Sequence, residues 1–522
     1  MTAVEAQAND GQWPLALGIV TAAAMLRLVI AALIPVFPDE TYYWDWSRHL
    51  AAGYFDHPPG LALLIRFGTI TLAPLGVRAT PLAVRFGPIV AGWLAALATI
   101  ATARRLGGGG SDGAFRAAIL VSVLPLAAAG LILATPDAPV LATTAVGVYC
   151  VVRALQCAAG STGSLRWWSV TGVVLGMAFS SKYTSIFLPV GVAAAAAVRP
   201  DLRARFREPG PYVACILATV VFSPVLIWNA HHGWVSLVFQ LHHGLSAPNG
   251  SGLLAAWKHE GDFLGGQAGL ASPILFVMFA VATARSLTRR APPDLFVLAM
   301  IATVSFAFFL ASAIRQRVEP NWPAPAYIPA IVLLATSRWN SRGERWWKAG
   351  VGLAAMMSVV IYVQGIVPIL PLAPPRDPIA RAFGWRALTL SADSVAGTVS
   401  ASTGAATWLG ADRYQEASEL AFHDASHPPT FSLNLSGRRN QYDLWPRFSE
   451  RAKRGDNLVL VLDESRELPG PIVQLSPYFA ELRRSDLVPL ERQGREVGRR
   501  QLWALVGWRG GWPPSAAFGG SR

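Results

Sequence analysis

Pro38-Asp39-Glu40-Thr41-Tyr42-Tyr43-Trp44-Asp45-Trp46, running on to Tyr54-Phe55-Asp56-His57-Pro58-Pro59-Gly60, is the stretch on which the reading of this chain turns. It follows directly on an apolar run from about Pro14 to Val36, long enough at about 1.5 Å per residue to cross a hydrocarbon core of about 30 Å. Two adjacent carboxylates therefore stand where a spanning helix meets water. The Tyr and Trp rings around them are of the kind that favour the headgroup layer. Acid, aromatic and His-Pro-Pro together at such a depth point to a substrate carried by a lipid.

Composition supports a membrane setting. The chain has 522 residues, is 53% hydrophobic and 14% charged, and has a mean hydropathy of +0.38, too apolar for an ordinary soluble protein of that size. The net charge of +13 could suggest nucleic acid, but the arginines fall in short clusters between apolar runs and along the tail, so membrane topology accounts for the first group and no nucleic acid partner is expected. Cys150, Cys157 and Cys215 show no paired spacing, which indicates neither a disulfide framework nor a thiolate metal site. The first apolar run lacks a positive leading flank and has the length of a full span, so an uncleaved first helix is expected. Its Arg27 is costly in lipid and should face other helices or a wet cavity.

Further spans are expected at about 83–103, 114–134, 140–155, two within 168–198 separated by Ser180-Ser181-Lys182-Tyr183-Thr184, and at 212–228, 270–284, 295–313, 322–335 and 347–370. Leu61 to Leu75 is apolar but short, and suits a helix lying at the interface or packed in the loop. The fold class expected is thus an all-α polytopic membrane domain of about 11 transmembrane helices over residues 1–370, with a first outer loop at 37–82. Alternate loops then hold sixteen basic residues, between Arg104 and Lys348, on one side. Seven lie on the other: Arg48, Arg66, Arg78, Lys182, Lys258, Arg315 and Arg317. The positive-inside rule puts the second set outside. Residues 371–522 are more polar, with β-like runs at Thr430–Leu435 and Leu458–Leu462 and a helical stretch at Tyr414–His423, suggesting a small soluble α/β domain on the outer face. Within it Asn440–Trp445 is either a polar and aromatic binding surface or a packed loop. The Gly107–Gly110 run has no following Lys-Ser/Thr and reads as a linker, not a phosphate loop.

A transferase working on a sugar linked to a polyprenyl phosphate needs a carboxylate at the membrane rim to take the acceptor's proton, and a cation to stabilise the departing phosphate. Asp39 and Glu40 supply the first. Lys182, a flexible point charge at an outer turn, could supply the second, with Arg315 and Arg317 as bidentate alternatives. The plain structural readings stand beside these. Asp39 could cap a helix over 40–51 with Glu40 favouring its first turn, Lys182 could snorkel to the interface, and Asp56-His57 could be a turn before Pro58-Pro59. Tyr43, Trp44 and Asp56 complete the substrate loop. His231-His232, His242-His243, His259-Glu260 and Asp262 invite a divalent metal ion bracing the phosphate, with Asp56 and a histidine as ligands. These pairs lack the i, i+4 spacing of a recognised zinc motif, and hydrogen-bonding histidines are the more frequent explanation.

The motif Asp39-Glu40-Thr41-Tyr42-Tyr43-Trp44 with Gly53-Tyr54-Phe55-Asp56-His57-Pro58-Pro59 resembles the C-type (GT-C) glycosyltransferases of the dolichyl-phosphate-mannose protein mannosyltransferase-like family, whose bacterial members include the lipid A aminoarabinose transferases. Thr135-Pro136-Asp137-Ala138-Pro139, Ser181-Lys182-Tyr183-Thr184 and Asn321-Trp322-Pro323-Ala324-Pro325-Ala326-Tyr327 extend the resemblance over the apolar part. It implies an inverting transfer from a polyprenyl-phosphate-sugar donor to a lipid or protein acceptor. It also implies the periplasmic face of a bacterial inner membrane as the place of reaction, with Asp39 matching the family's first-loop catalytic aspartate. The aminoarabinose transferases have an acidic residue and a lysine where this chain has Asp56-His57, which shifts phosphate binding from position 57 toward Lys182 and weakens the case for aminoarabinose. Two other classes compete. A transporter or lipid flippase would place ionisable groups in broken helices near mid-membrane, whereas here they gather mainly at one rim. A non-catalytic glycan-binding partner would keep its function without Asp39.

Overall fold

The computed structural model describes residues 3–77, 79–107, 112–245, 253–435, 438–465 and 468–513. Arg78 and most of the Gly107–Gly110 run lie outside the described residues, and the side chain of His243 is not described. The chain divides into two compact units, Met1–Leu33 with Leu50–Val367, and Ile34–His49 with Pro368–Arg522. The opening acidic and aromatic motif is thus split: Asp39 through Trp46 group with the C-terminal residues, and Tyr54 through Gly60 with the helical part.

The first unit is all-α and multi-pass. Among the described residues six helices are long and apolar enough to cross a membrane: Gln12–Leu33, Pro81–Leu106, Asp137–Gln156, Pro209–His231, Pro293–Ala313 and Ser341–Ile366. Counting each sharply bent pair as one span raises this to eight, which corrects the expected eleven. The reason lies in the breaks. Leu124 is extended ahead of Pro125, so the run at 114–134 becomes Asp112–Val123 and Pro125–Gly130. The run at 270–284 is the second arm of a pair bent by 98° at Ser272-Pro273. Ala324–Thr336 has 13 residues, about 20 Å of helix and short of the hydrocarbon core. The turn predicted at Ser180–Thr184 is present, separating Thr162–Phe179 from Phe187–Val198, and the run after the motif forms the short helix Gly60–Leu72.

Small residues bring the helices together. Gly172 and Gly176 stand four apart on Thr162–Phe179, and a Cβ on either would strike Pro209–His231, at Ala214 for the first and at Ala218 and Val221 for the second. The backbones therefore approach as closely as glycine allows, the usual source of helix packing in lipid. Arg27 is 2% exposed and donates to the Val121 carbonyl at 3.0 Å, so it ties its helix to a neighbour.

The second unit carries an open, β-rich five-stranded sheet in which the expected helix Tyr414–His423 falls between the first two strands, while the last two strands follow one another as a hairpin. Its strands are β1 (Thr407–Ala411), β2 (Thr430–Ser432), β3 (Asn457–Asp463), β4 (Phe479–Arg492) and β5 (Arg495–Trp508), in the order β2-β1-β3-β5-β4. β1 runs parallel to β2 and β3, while β3-β5 and β5-β4 are antiparallel. The long β4-β5 hairpin turns at Gln493-Gly494, both at positive φ, and gives the sheet its β-rich edge. The almost uninterrupted apolar run of β3 is buried from Asn457 to Leu462, as a central strand covered on both faces requires.

Candidate active site

In the second unit the motif forms the helix Pro38–Arg48, entered through extended Phe37 with proline at its first position. Asp39 lies in the first turn instead of capping it. The Glu40 Oε2 accepts from the Phe37 backbone N–H at 2.9 Å and so fastens the helix start from inside. Most of this helix is buried, and its aromatic residues explain why. Trp44, 4% exposed, meets Phe422 edge-on at 5.0 Å. The Tyr42 hydroxyl accepts from the Gln441 N–H at 2.7 Å, and Tyr442 donates to Asp45 Oδ2 at 2.8 Å. Thr41 Oγ1 and Ser418 Oγ are 2.9 Å apart. Tyr43 stands edge-on to Trp46 at 4.9 Å. The motif is therefore packed against Tyr414–His423 and the Asn440–Trp445 segment, and that segment does the work of a packed loop.

Asp39 is more open than its buried neighbours, with a side chain 47% exposed. Its Oδ1 accepts from Gln415 Nε2 at 3.4 Å and its Oδ2 stands 4.0 Å from Arg381 Nη2. A carboxylate held at its edges and open elsewhere is accessible to a substrate hydroxyl. Beneath this helix Glu419 is completely buried, with His423 Nε2 at 3.1 Å. Burial pushes the Glu419 carboxyl up to about 7; His423 opposes the shift and the nearby Glu40 carboxylate adds to it.

The remaining sequence-predicted residues lie in the first unit. Lys182 does not snorkel: it is 7% exposed and its Nζ is 2.5 Å from Asp137 Oδ1. The second oxygen of Asp137 accepts from Asn321 Nδ2, also at 2.5 Å. Three motifs far apart in sequence, at 135–139, 181–184 and 321–327, thus meet at one buried carboxylate. Gly60 docks on the same turn, its N–H bonded to the Ser180 carbonyl at 2.9 Å, where a Cβ would strike Ser181. Just before it, Gln240 Nε2 donates to the Asp56 carbonyl at 2.6 Å and lies 3.4 Å from His57 Nδ1. Asp56 is 3% exposed. Arg315 is exposed, and Arg317 stands 3.3 Å from Glu319.

The divalent-ion expectation finds no donor set: among the described residues no three His, Cys, Asp or Glu side chains come together as ligands would. Asp137 and Asn321 received no role from the sequence, although their placement between prolines at helix starts was a signal. Gln415, Arg381 and Glu419 carried none, because they reach the motif across more than three hundred residues.

Residues 56–228 match the family of dolichyl-phosphate-mannose-protein mannosyltransferases. A curated relative, the lipid A galacturonosyltransferase RgtD of Rhizobium johnstonii, is 26% identical over 297 residues, which is 57% of this chain and 59% of that protein. Among solved structures, ArnT from Cupriavidus metallidurans bound to undecaprenyl phosphate superposes with a TM-score of 0.61 at 16% identity, covering 93% of this chain and 97% of that one. The oligosaccharyltransferase AglB from Archaeoglobus fulgidus gives 0.51 at 11% identity, covering 85% and 69%. The chain has the GT-C fold of membrane glycosyltransferases. The sequence likeness to RgtD and to the mannosyltransferase family covers part of the chain, and the fold likeness nearly all of it.

Proposed function

We propose that this protein is a glycosyltransferase of the bacterial inner membrane that moves one sugar from a polyprenyl-phosphate donor to an acceptor on the periplasmic face, with Asp39 as general base. The observation that carries the reading is the half-exposed carboxylate of Asp39 at the start of a mostly buried motif helix, hydrogen-bonded by Gln415. In the reaction the acceptor oxygen attacks the anomeric carbon from the face opposite the phosphate, and its proton passes to Asp39. The new glycosidic bond forms as the bond to the phosphate oxygen breaks, inverting the anomeric centre, and the polyprenyl phosphate departs.

Lys182 is the donor-phosphate cation in this scheme, with His57 and Arg315 in support. Asp137 and Asn321 hold Lys182 in place, so the ammonium reaches the phosphate pre-positioned and dehydrated, where its charge counts for more than in water. Glu40, Tyr43, Trp44 and Asp56 shape the loops around the reacting groups. Similarity to a lipid A galacturonosyltransferase and to a protein mannosyltransferase family supports an acceptor that is lipid A, its core sugars, another glycolipid or a protein hydroxyl.

Asp39→Asn keeps the size of the side chain and one acceptor oxygen for Gln415, and removes its charge and basicity. Loss of a positioned base costs about 10²–10⁴ in rate. With a polyprenyl-phosphate-sugar donor and purified protein in detergent, transfer by this variant is expected to fall by that factor while the protein stays folded. Wild-type turnover would remove Asp39 from the mechanism. Consumption of the donor without any transmembrane gradient also separates a transferase from a transporter.

A further inference from the structure

The second unit contains a cavity of about 240 Å³ that the scheme above leaves unused. Pro38, the first residue of the motif helix, lines it. So do Arg381 and Gln415, the two side chains next to Asp39. Phe383 and Trp385 supply its aromatic lining, with the Arg492 guanidinium 4.8 Å from the Phe383 ring. Arg500 lines it too, its guanidinium 5.6 Å from the Trp385 ring, its Nε donating to the buried Glu416 at 2.7 Å and its Nη1 3.2 Å from Asp463 Oδ1. Arg413 completes the lining and is tied to Asp463 at 2.7 Å from outside it.

These groups have a common chemistry. An aromatic face accepts the C–H face of a sugar ring, and planar forked side chains such as Arg, Gln and carboxylate pair with its hydroxyls. Arg413 and Arg500 share Asp463, and Arg500 also holds Glu416, so Arg381, with a side chain 64% exposed and 4.0 Å from Asp39, is the guanidinium most open to a ligand. Guanidinium is also the group best matched to phosphate or carboxylate.

We propose that this cavity is the acceptor site and that it takes a sugar ring bearing an anionic substituent, phosphate or carboxylate, presenting a hydroxyl to Asp39. The assignment rests on Asp39 being the base. It adds the C-terminal unit to the substrate-binding apparatus and gives that unit a reason to hold the motif helix.

The test uses the full chain in detergent and three probes, glucose 1-phosphate, methyl glucuronoside and methyl glucoside, with binding read by saturation-transfer NMR titration. The two anionic probes are expected to bind at least fivefold more tightly than the neutral one. Gly498 faces Leu490 across β4-β5, and a Cβ there would meet only Leu490 Cδ1 at 3.7 Å and Arg500 Nη1 at 3.9 Å, so Gly498→Leu fills the cavity without a backbone clash. That variant, and independently the solvent-facing Arg381→Gln, are expected to weaken the anionic probes at least tenfold. Wild-type affinity in both variants, equal affinity for all three probes, or no binding of any of them would overturn the assignment. Donor consumption by the wild type is measured in the same preparations. A wild type that binds the probes but never consumes a polyprenyl-phosphate-sugar removes the transferase reading while leaving the site. One that consumes the donor but binds no probe removes only the site.

Discussion

Lys182 and Asp137 illustrate how a single residue can be read two ways and how the difference is measured. Removing one partner of a buried ion pair leaves the other charge uncompensated, at a cost of about 3–5 kcal/mol. Lys182→Met alone is therefore expected to lower the thermal unfolding temperature markedly, and Lys182→Met with Asp137→Asn to recover most of the loss. If the cation also serves the donor phosphate, the double variant stays inactive despite its recovered stability; transfer restored in the double variant would leave Lys182 a structural residue only. Glu419 gives a second prediction, this one in pH. Its carboxyl is raised from about 4.5 to about 7 in the folded protein, so the folded state favours the protonated form. This contribution is fully present below about pH 4.5 and is lost as pH rises through about 7, a change on the order of 3 kcal/mol across that window. Unfolding of the C-terminal unit followed between pH 5 and 8 should show that decline, and Glu419→Gln should flatten it. An unchanged slope in the variant would assign the dependence elsewhere.

At the scale of elements, the motif helix Pro38–Arg48 was legible in the sequence as a helix with acid at its start, but its partners were not. Proline at the first turn and alternating acid and aromatic residues are local signals. That Tyr42, Thr41 and Asp45 bond to Gln441, Ser418 and Tyr442 is a matter of chain folding over almost four hundred residues. Trp44→Ala should cost about 3–5 kcal/mol, as for other buried tryptophans, measured as a loss of protease resistance in the C-terminal unit; resistance equal to wild type would show that the Trp44–Phe422 contact contributes little. The helix pair Thr162–Phe179 and Pro209–His231 is legible in a different sense, since Gly172 and Gly176 form a small-xxx-small face. Gly172→Leu is expected to force the pair apart and reduce the yield of folded protein from membranes, whereas substitution at Gly261, where a Cβ meets nothing within 4 Å, is expected to have little effect.

At the scale of the whole molecule, the two-unit division makes a chain ending after Val367 informative. Such a chain retains Ile34–His49 but lacks Pro368–Arg522, with which that segment packs. Limited proteolysis is expected to cut within 34–49 in the shortened chain and not in the full one; equal protection would mean that the segment orders without its C-terminal partners. Composition and hydropathy by themselves determined that this is a multi-pass helical membrane protein with a polar C-terminal part, because burying apolar runs in lipid is a property of each run alone. The same runs overstated the number of spans. Hydropathy averages over Leu124-Pro125 and Ser272-Pro273, whereas backbone geometry breaks the helix there. Sequence also singled out Asp39 and Lys182, since unusual residues at helix ends are visible locally. Only the tertiary structure decided that Lys182 is paired with Asp137, that the motif aromatics are packing residues, and that Gln415 and Arg381 flank Asp39. Those facts depend on distances between residues far apart in the chain, which long-range packing sets and no local pattern records.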